Sequence, residues 1–379
     1  MRNLYLLGAT GSIGTQALNI IRQTKDYQVI GITFYNNVCL GKEIIKEFKP
    51  EIVWVKTEEV KQELEKEFPK LKVYFGKEGM IDFALYEKPG LFLNALMGSS
   101  GLLPTYYAIK SKKDILLANK ESLVIGGKLI MELAREMKVS IFPLDSEHNS
   151  LFQLLRKENK EDIKKIYLTA SGGALRDKTR TELKTVTKEE VLNHPNWKMG
   201  EKITVDSATM INKGFEVIEA YHLFGLRIDQ IDTILHRESI VHALVEYEDG
   251  TVLANLSYPN MELPISYALN YPRRKKTSVP SLDLGKVKDL HFEEMDYERY
   301  PLLKLAFEVL KAGEAKQIAY SASNEAAVNL FLEDRISFLD IEKIVTLAVK
   351  KDYPKFTSSL DNILKLDQEI KQEIYDRYK

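Results

Sequence analysis

Asn3-Leu4-Tyr5-Leu6-Leu7-Gly8-Ala9-Thr10-Gly11-Ser12-Ile13-Gly14 joins an apolar run to a glycine-rich turn, and Ala17, Leu18 and Ile21 continue it at helical spacing. Strand, glycine turn and helix in that order is the context in which a glycine motif binds phosphate. Gly8 and Gly11 let the backbone turn tightly and approach a pyrophosphate, to which a helix starting near Ser12 presents unpaired N–H groups. The spacing is G-x-x-G-x-x-G rather than the stricter G-x-G-x-x-G, so on this stretch alone a plain strand–helix turn stays open.

Outward from this turn, short apolar runs predict strands at 28–33, 52–55, 72–75, 91–93, 115–117 and 140–142. Helical patterns at 41–48, 60–68, 103–111 and 123–137 lie between most of them. Such alternation predicts an α/β fold whose N-terminal part is a doubly wound, Rossmann-like parallel sheet. Ligands on these sheets sit beyond the carboxyl ends of the strands, where Gly11, Asn37, Asn119 and Asp145 are expected. The second strand ends in Thr33-Phe34-Tyr35-Asn36-Asn37. It lacks the acid that holds the ribose hydroxyls of NAD, which leans toward NADP, but it also lacks a base for a 2′-phosphate.

Composition narrows the class. With 379 residues, two or three domains are expected, and a hydrophobic content of 44% is enough for sizeable cores. A net charge of -1 gives no electrostatic reason to expect nucleic acid or an anionic membrane as partner. A single cysteine, Cys39, excludes internal disulfides and a cysteine-based zinc cluster. No apolar run approaches a membrane span, and the chain begins with a strand rather than a targeting peptide. A soluble, cytoplasmic protein is expected.

Pro143-Leu144-Asp145-Ser146-Glu147-His148-Asn149-Ser150 follows the last predicted strand of the sheet. In an extended chain Asp145 and Glu147 point the same way, the minimum for gripping a hard divalent cation. Alternatively Asp145 or Ser146 caps a helix beginning near Glu147, where an acid suits the helix dipole. Asn119-Lys120-Glu121-Ser122 has the same ambiguity, with Asn119 as a cap or Lys120 as a substrate contact. A strand at 165–168 runs into Thr169-Ala170-Ser171-Gly172-Gly173-Ala174, a plain turn or a backbone closing on an anion. The segment 176–200 has little periodicity apart from a short helix boxed by Thr187 and Glu190. His194, Trp197 and Met199 in this segment suit a lid over a ligand or a satellite cluster under a long loop.

Ser207, Asn212 and Lys213 supply hydroxyl, amide and ammonium donors, the kit for a phosphate monoester. Glu216 lies three residues past Lys213 on the helix that follows, near the same face. Runs at 240–247 and 251–257 around Asp249-Gly250 predict a hairpin, hence a central α+β domain. A helix is expected at 261–271. The basic run Arg273-Arg274-Lys275-Lys276 reads as a solvated linker. Amphipathic patterns at 302–310, 322–332, 341–349 and 360–375 predict a C-terminal helical bundle with a packing role. The expected divisions are a cofactor domain over 1–145, a catalytic and connective domain over 146–280 with a lid near 171–201, and a linker and helical domain over 281–379.

Together GATGSIG, LANKES, PLDSEHNSLFQ, LTASGGALRD, HPNWKMG and VDSATMINKGFEVIEA, in this order, resemble the 1-deoxy-D-xylulose-5-phosphate reductoisomerases. The similarity continues from His236 into the C-terminal helices and so covers essentially the whole chain. It implies NADPH bound by Thr10, Gly11, Ser12 and Ile13, with Asn37, Asn119, Glu121, Met199 and Gly200 contributing. It implies Mg²⁺ or Mn²⁺ held by Asp145, Glu147 and Glu216. Lys120, Ser146 and Glu147 would touch the substrate's carbon skeleton, and Ser171, Ser207, Asn212 and Lys213 its phosphate. His194 and Trp197 would close over it. Lys120, His194 and the three carboxylates form the catalytic set, and a homodimer is implied. The family usually places Gly and then Lys or Arg before the asparagine of the second-strand loop. Tyr35 and Asn36 stand there instead, so a reduced NADPH-over-NADH margin is expected.

The implied reaction rearranges 1-deoxy-D-xylulose 5-phosphate to an aldehyde and reduces it by hydride transfer to 2-C-methyl-D-erythritol 4-phosphate, in the non-mevalonate isoprenoid pathway. Remaking a carbon–carbon bond beside a ketone puts charge on adjacent oxygens, which a chelating cation stabilises. The alternatives are another Rossmann-type dehydrogenase, which needs no three-carboxylate metal site, and a catalytically silent cofactor-sensing module.

Overall fold

In the computed structural model, which describes residues 1–379 except Lys198, Pro354 and Lys355, the opening apolar run is β1 (Arg2–Leu7). Leu4 to Leu7 are wholly buried without alternation, the mark of a strand covered on both faces. The chain continues through α1 (Ser12–Thr24), β2 (Tyr27–Phe34), α2 (Val38–Phe48), β3 (Ile52–Val55), α3 (Glu58–Glu67), β4 (Lys72–Phe75) and α4 (Gly76–Ala84). Then follow β5 (Leu91–Asn94), α5 (Leu102–Lys110), β6 (Asp114–Leu117), α6 (Glu121–Met137) and β7 (Ile141–Pro143). The seven strands form one sheet in the order β4-β3-β2-β1-β5-β6-β7, every pair parallel. The order reverses beside β1, so its carboxyl end and the Gly8 turn lie at the topological switch point. Ala17, Leu18, Ile20 and Ile21 of α1 bury against the sheet, each contributing about 1.5–3 kcal/mol relative to exposure, less for the alanine.

Every strand expected for this sheet is present. α4 was not expected: Gly76 and Gly79 lower its intrinsic helicity, and burial of Met80, Phe83 and Ala84 holds it instead. This sheet belongs to a compact unit of Met1–Ser122, Ile130–Asp145 and Met261–Val279.

The second compact unit comprises Leu123–Leu129, Ser146–Asn260 and Pro280–Lys379. After the Leu123–Leu129 stretch of α6 it contains α7 (Ser146–Leu154) and β8 (Ile163–Ala170), followed by α8 (Lys188–Leu192), α9 (Glu201–Ala208) and α10 (Ile211–Phe224). Next are β9 (Ile231–Leu235), β10 (Val241–Tyr247) and β11 (Val252–Leu256). The hairpin forms as expected, with Gly250 at φ +84° and the Thr251 N–H donating to Asp249 Oδ1 at 2.8 Å. β9 was missed because Asp232 and Thr233 interrupt its apolar pattern. Across the parallel β8–β9 pair, Lys165 Nζ lies 3.0 Å from Asp232 Oδ2. α11 (Glu262–Asn270) returns to the first unit, where Ile265, Ala268 and Leu269 join the sheet's core.

α12 (Leu284–Val287) and β12 (Glu293–Glu294) precede α13 (Pro301–Ala312), α14 (Glu314–Leu332), α15 (Phe338–Lys350) and α16 (Leu360–Arg377). β12 completes a sheet of order β11-β10-β8-β9-β12. The helical bundle is as expected except for α14, which starts well before residue 322. Residues 317–324 of α14 are buried all round, so no amphipathic stripe marks its first half. Among the described residues no helix is long and apolar enough to cross a membrane.

Candidate active site

Gly8 adopts φ +77°, which glycine takes without strain. A Cβ on Gly8 would sit 2.7 Å from the Ala95 carbonyl oxygen, and one on Gly14 2.2 Å from the Gly8 carbonyl oxygen. The turn therefore closes on backbone alone. Gly11 caps α1 without a side chain, and the first turn of α1 carries no acid. The leading N–H groups, at Ser12 and Ile13, are thus open to an anion beyond the strand end, a donor set that fits a diphosphate. Gly11 and Ser12 are exposed, and Thr10 and Ile13 half-buried beside them. Asn37 is exposed and caps α2, its Oδ1 accepting the Leu40 N–H at 3.1 Å.

Asn119 is 1% exposed and fully engaged. Its Nδ2 donates to the carbonyls of Leu96 at 3.0 Å and Gly98 at 2.8 Å, and its Oδ1 accepts the Ser122 N–H at 3.1 Å. The expected cap is real, and Asn119 shapes the loop after β5. Glu121 Oε1 accepts the Gly98 N–H at 3.2 Å and braces the same loop. Lys120 stands at the start of α6 and makes no capping bond with its side chain; its Nζ lies 2.5 Å from Asp145 Oδ2, with side chains only 7% and 12% exposed.

In the second unit Glu147 lies in the first turn of α7, not in an extended segment. The i, i+2 argument for parallel carboxylates therefore fails, because the helix begins at Ser146. Glu147 instead accepts from the Ser146 hydroxyl, and its Oε1 lies 2.6 Å from Lys213 Nζ. Lys213 also contacts Glu216 Oε2, one helical turn along α10 as expected. Burial opposes the charge on Lys213, yet Glu147 and Glu216 together hold its ammonium above the ordinary value. Asn212 Nδ2 donates to Glu216 Oε1 at 2.6 Å. A buried and a half-buried carboxylate satisfied by one ammonium are a place built for positive charge, and their oxygen donors fit Mg²⁺ or Mn²⁺ better than a softer metal.

Two residues absent from the sequence-based set support Glu216. His148 Nε2 donates to the Glu216 carbonyl at 2.8 Å, while its Nδ1 lies 3.6 Å from Glu219 Oε2. Both side chains are essentially inaccessible. Adjacency to Glu147 was the available signal for His148; Glu219 had none beyond its helix.

The donors expected for a phosphate come from three segments of this unit. Gly173, at φ +74°, approaches so closely that a Cβ would stand 2.5 Å from the Ser207 carbonyl oxygen, which brings the Ser171 and Ser207 segments together. Behind Ser207, buried Asp206 takes hydrogen bonds from Lys202 Nζ and Asn324 Nδ2, each at 2.7 Å. Helix α14 of the C-terminal bundle thus braces the Ser207 segment through a contact that no local pattern foretells. Tyr300 adds another, donating to the Gly172 carbonyl at 3.2 Å.

The expected capping box at Thr187 and Glu190 is present. His194 Nδ1 accepts the N–H groups of Asn196 at 3.1 Å and Trp197 at 3.0 Å, which leaves Nε2 to donate to Ser171 Oγ at 3.2 Å. Burial, helped by the Arg176 charge, pushes the ring down to about 4. His194 is therefore neutral near pH 7, and its hydrogen bonds tie Ser171 to the 194–197 loop. Asn196 Nδ2 donates to the Arg237 carbonyl at 2.6 Å, and Trp197 packs 6.4 Å from His242. Met199 is half-buried, Gly200 is exposed and caps α9, and Lys198 lies outside the described residues.

Family comparison covers most of the chain. Residues 4–127 match the model described as 1-deoxy-D-xylulose 5-phosphate reductoisomerase. Residues 141–224 and 256–373 match models of its C-terminal domains. The 1-deoxy-D-xylulose 5-phosphate reductoisomerase of Listeria innocua is 47% identical over 375 residues, 98% of each chain. Reductoisomerase 2 of Bacillus cereus is 45% identical over the full length of both chains. A crystal structure of DOX-P reductoisomerase in complex with NADPH, fosmidomycin and magnesium superposes with a TM-score of 0.95 at 37% identity, covering 100% of this chain and 98% of the other. The Zymomonas mobilis enzyme in complex with NADPH gives 0.91 at 36% identity, with the same coverage. The chain belongs to the 1-deoxy-D-xylulose 5-phosphate reductoisomerase family.

Proposed function

We propose that this chain converts 1-deoxy-D-xylulose 5-phosphate to 2-C-methyl-D-erythritol 4-phosphate with NADPH and a divalent cation, and that Asp145, Glu147 and Glu216 hold the cation. The observation that carries it is the Glu147–Lys213–Glu216 cluster, in which Lys213 and Glu216 are buried, with Asn212 on the same helix turn. When bound, the cation withdraws charge from the substrate's ketone and hydroxyl oxygens, and NADPH supplies the hydride.

The chain's own residues bind, orient and exclude water. Ser171, Ser207, Asn212 and Lys213 grip the phosphate, Lys213 supplying the ammonium that pairs here with Glu147 and Glu216; a cation held by those carboxylates would take over their neutralisation. Lys120, paired to Asp145, and Ser146 contact the carbon skeleton. Residues 171–201 form the lid, in which His194 orients Ser171 and Trp197 covers the substrate, keeping the aldehyde from water until hydride arrives. Thr10, Gly11, Ser12 and Ile13 take the diphosphate. Asn37, Asn119, Glu121, Met199 and Gly200 complete the cofactor site, Asn119 and Glu121 by shaping its wall. We assign cofactor binding to 1–145, catalysis and connection to 146–280, and support to 281–379. The working form is a cytoplasmic homodimer, expected as a single species of twice the 43.5 kDa chain mass in sedimentation velocity. Product identification by NMR after incubation with substrate, NADPH and Mn²⁺ tests the reaction; unchanged substrate counts against it.

A further inference from the structure

The loop after β2 carries Tyr35, Asn36 and Asn37 and supplies no cation for the 2′-phosphate that separates NADPH from NADH. A cation reaches it from the neighbouring strand. β2 and β3 pair in parallel with Phe34 opposite Val55, so Tyr35 and Lys56 are the next residues along the two strand ends. Lys56 is exposed, and its Nζ stands 5.8 Å from the centroid of the Tyr35 ring, which itself packs 5.4 Å from Trp54. At that separation the ring attracts the ammonium only weakly, so a ligand can compete for it.

The two lysines within α2 are already neutralised: Lys42 pairs with Glu63 at 2.5 Å and Glu67 at 2.7 Å, and Lys46 with Glu67 at 2.9 Å. Among the described residues Lys56 makes no ion pair. Asn36 and Asn37 are exposed beside it, and Asn37 spends its oxygen on the α2 cap, leaving its amide donors for an acceptor. An ammonium and amide donors at the carboxyl end of the second strand suit a phosphate monoester on the adenosine ribose.

We infer that Lys56, held beside the second-strand loop by the Tyr35 ring, is the cofactor-specificity residue that binds the 2′-phosphate of NADPH. This rests on the reading of the first unit as an NADPH site, and the assay separates the two. Dissociation constants for NADPH and NADH are measured by titration calorimetry on the wild-type chain, Lys56→Ala and Lys56→Arg, without substrate or turnover. Lys56→Ala is expected to weaken NADPH about five- to tenfold and leave NADH unchanged, with Lys56→Arg near wild type. Raising the salt concentration should weaken NADPH more in the wild type than in Lys56→Ala. Equal weakening of both cofactors, or an unchanged NADPH constant in Lys56→Ala, overturns the inference while leaving NADPH binding itself in place. A wild-type chain that binds neither cofactor removes the NADPH site as well. Lys56 is exposed, so the alanine variant is expected to fold, which its melting temperature verifies.

Discussion

Lys213 faces Glu147 and Glu216 with a single positive charge, and that imbalance defines the site at the residue scale. Glu147→Gln and Glu216→Gln each remove one carboxylate charge of the proposed metal site while keeping size and hydrogen-bonding capacity. Each should lower kcat by about 100-fold or more and leave the NADPH dissociation constant within error, as steady-state kinetics and calorimetry will report. Full activity in either variant would remove that residue from the metal set. His194 makes a separate prediction. Its folded value, about 4, lies below the ordinary 6.5, so the folded chain binds fewer protons between those values. Its contribution to stability is therefore complete above pH 6.5 and is lost as pH falls toward 4. The melting-temperature gap between wild type and His194→Asn should narrow across that window; a gap independent of pH would contradict the neutral ring. Of these residues, Lys213 and Glu216 were legible because one helical turn separates them. His148, Glu219, Asp206 and Asn324 were not, because each acts through a partner far away in sequence or through burial that no motif encodes.

At the scale of elements, the nucleotide turn was the most legible feature, since glycines, strand and helix specify it locally. Gly14→Ala would push a Cβ into the Gly8 carbonyl oxygen. It should cost about 1–3 kcal/mol and sharply weaken NADPH, measured by denaturant titration and calorimetry. The β10–β11 hairpin and the parallel strands were equally readable. α4 and β9 were not, since glycines and an aspartate hide elements that tertiary packing holds. Lys113 shows the same limit: a lysine 1% exposed reads as a surface residue in sequence. Its Nζ donates to the carbonyls of Ala84 at 3.0 Å and Tyr86 at 2.7 Å, and to Ser111 Oγ at 2.7 Å. Lys113→Ala removes all three bonds and leaves the Ala84 carbonyl only its bond from the Ser111 hydroxyl, and should destabilise the first unit by about 2–3 kcal/mol in urea unfolding. The equivocal octet at 143–150 is resolved as a helix start, so Glu147 serves its helix's first turn and a charge cluster at once.

In the whole molecule, one chain couples a dinucleotide turn to a metal-dependent rearrangement of a sugar phosphate. A simple dehydrogenase on the same sheet would oxidise NADPH without a divalent cation, and a silent cofactor sensor would bind NADPH without consuming it. The decisive measurement is NADPH oxidation with 1-deoxy-D-xylulose 5-phosphate, after EDTA treatment and again after adding back Mn²⁺ or Mg²⁺. Turnover that EDTA abolishes and the cation restores is the predicted result; substrate-dependent turnover indifferent to metal, or none under either condition, would contradict it.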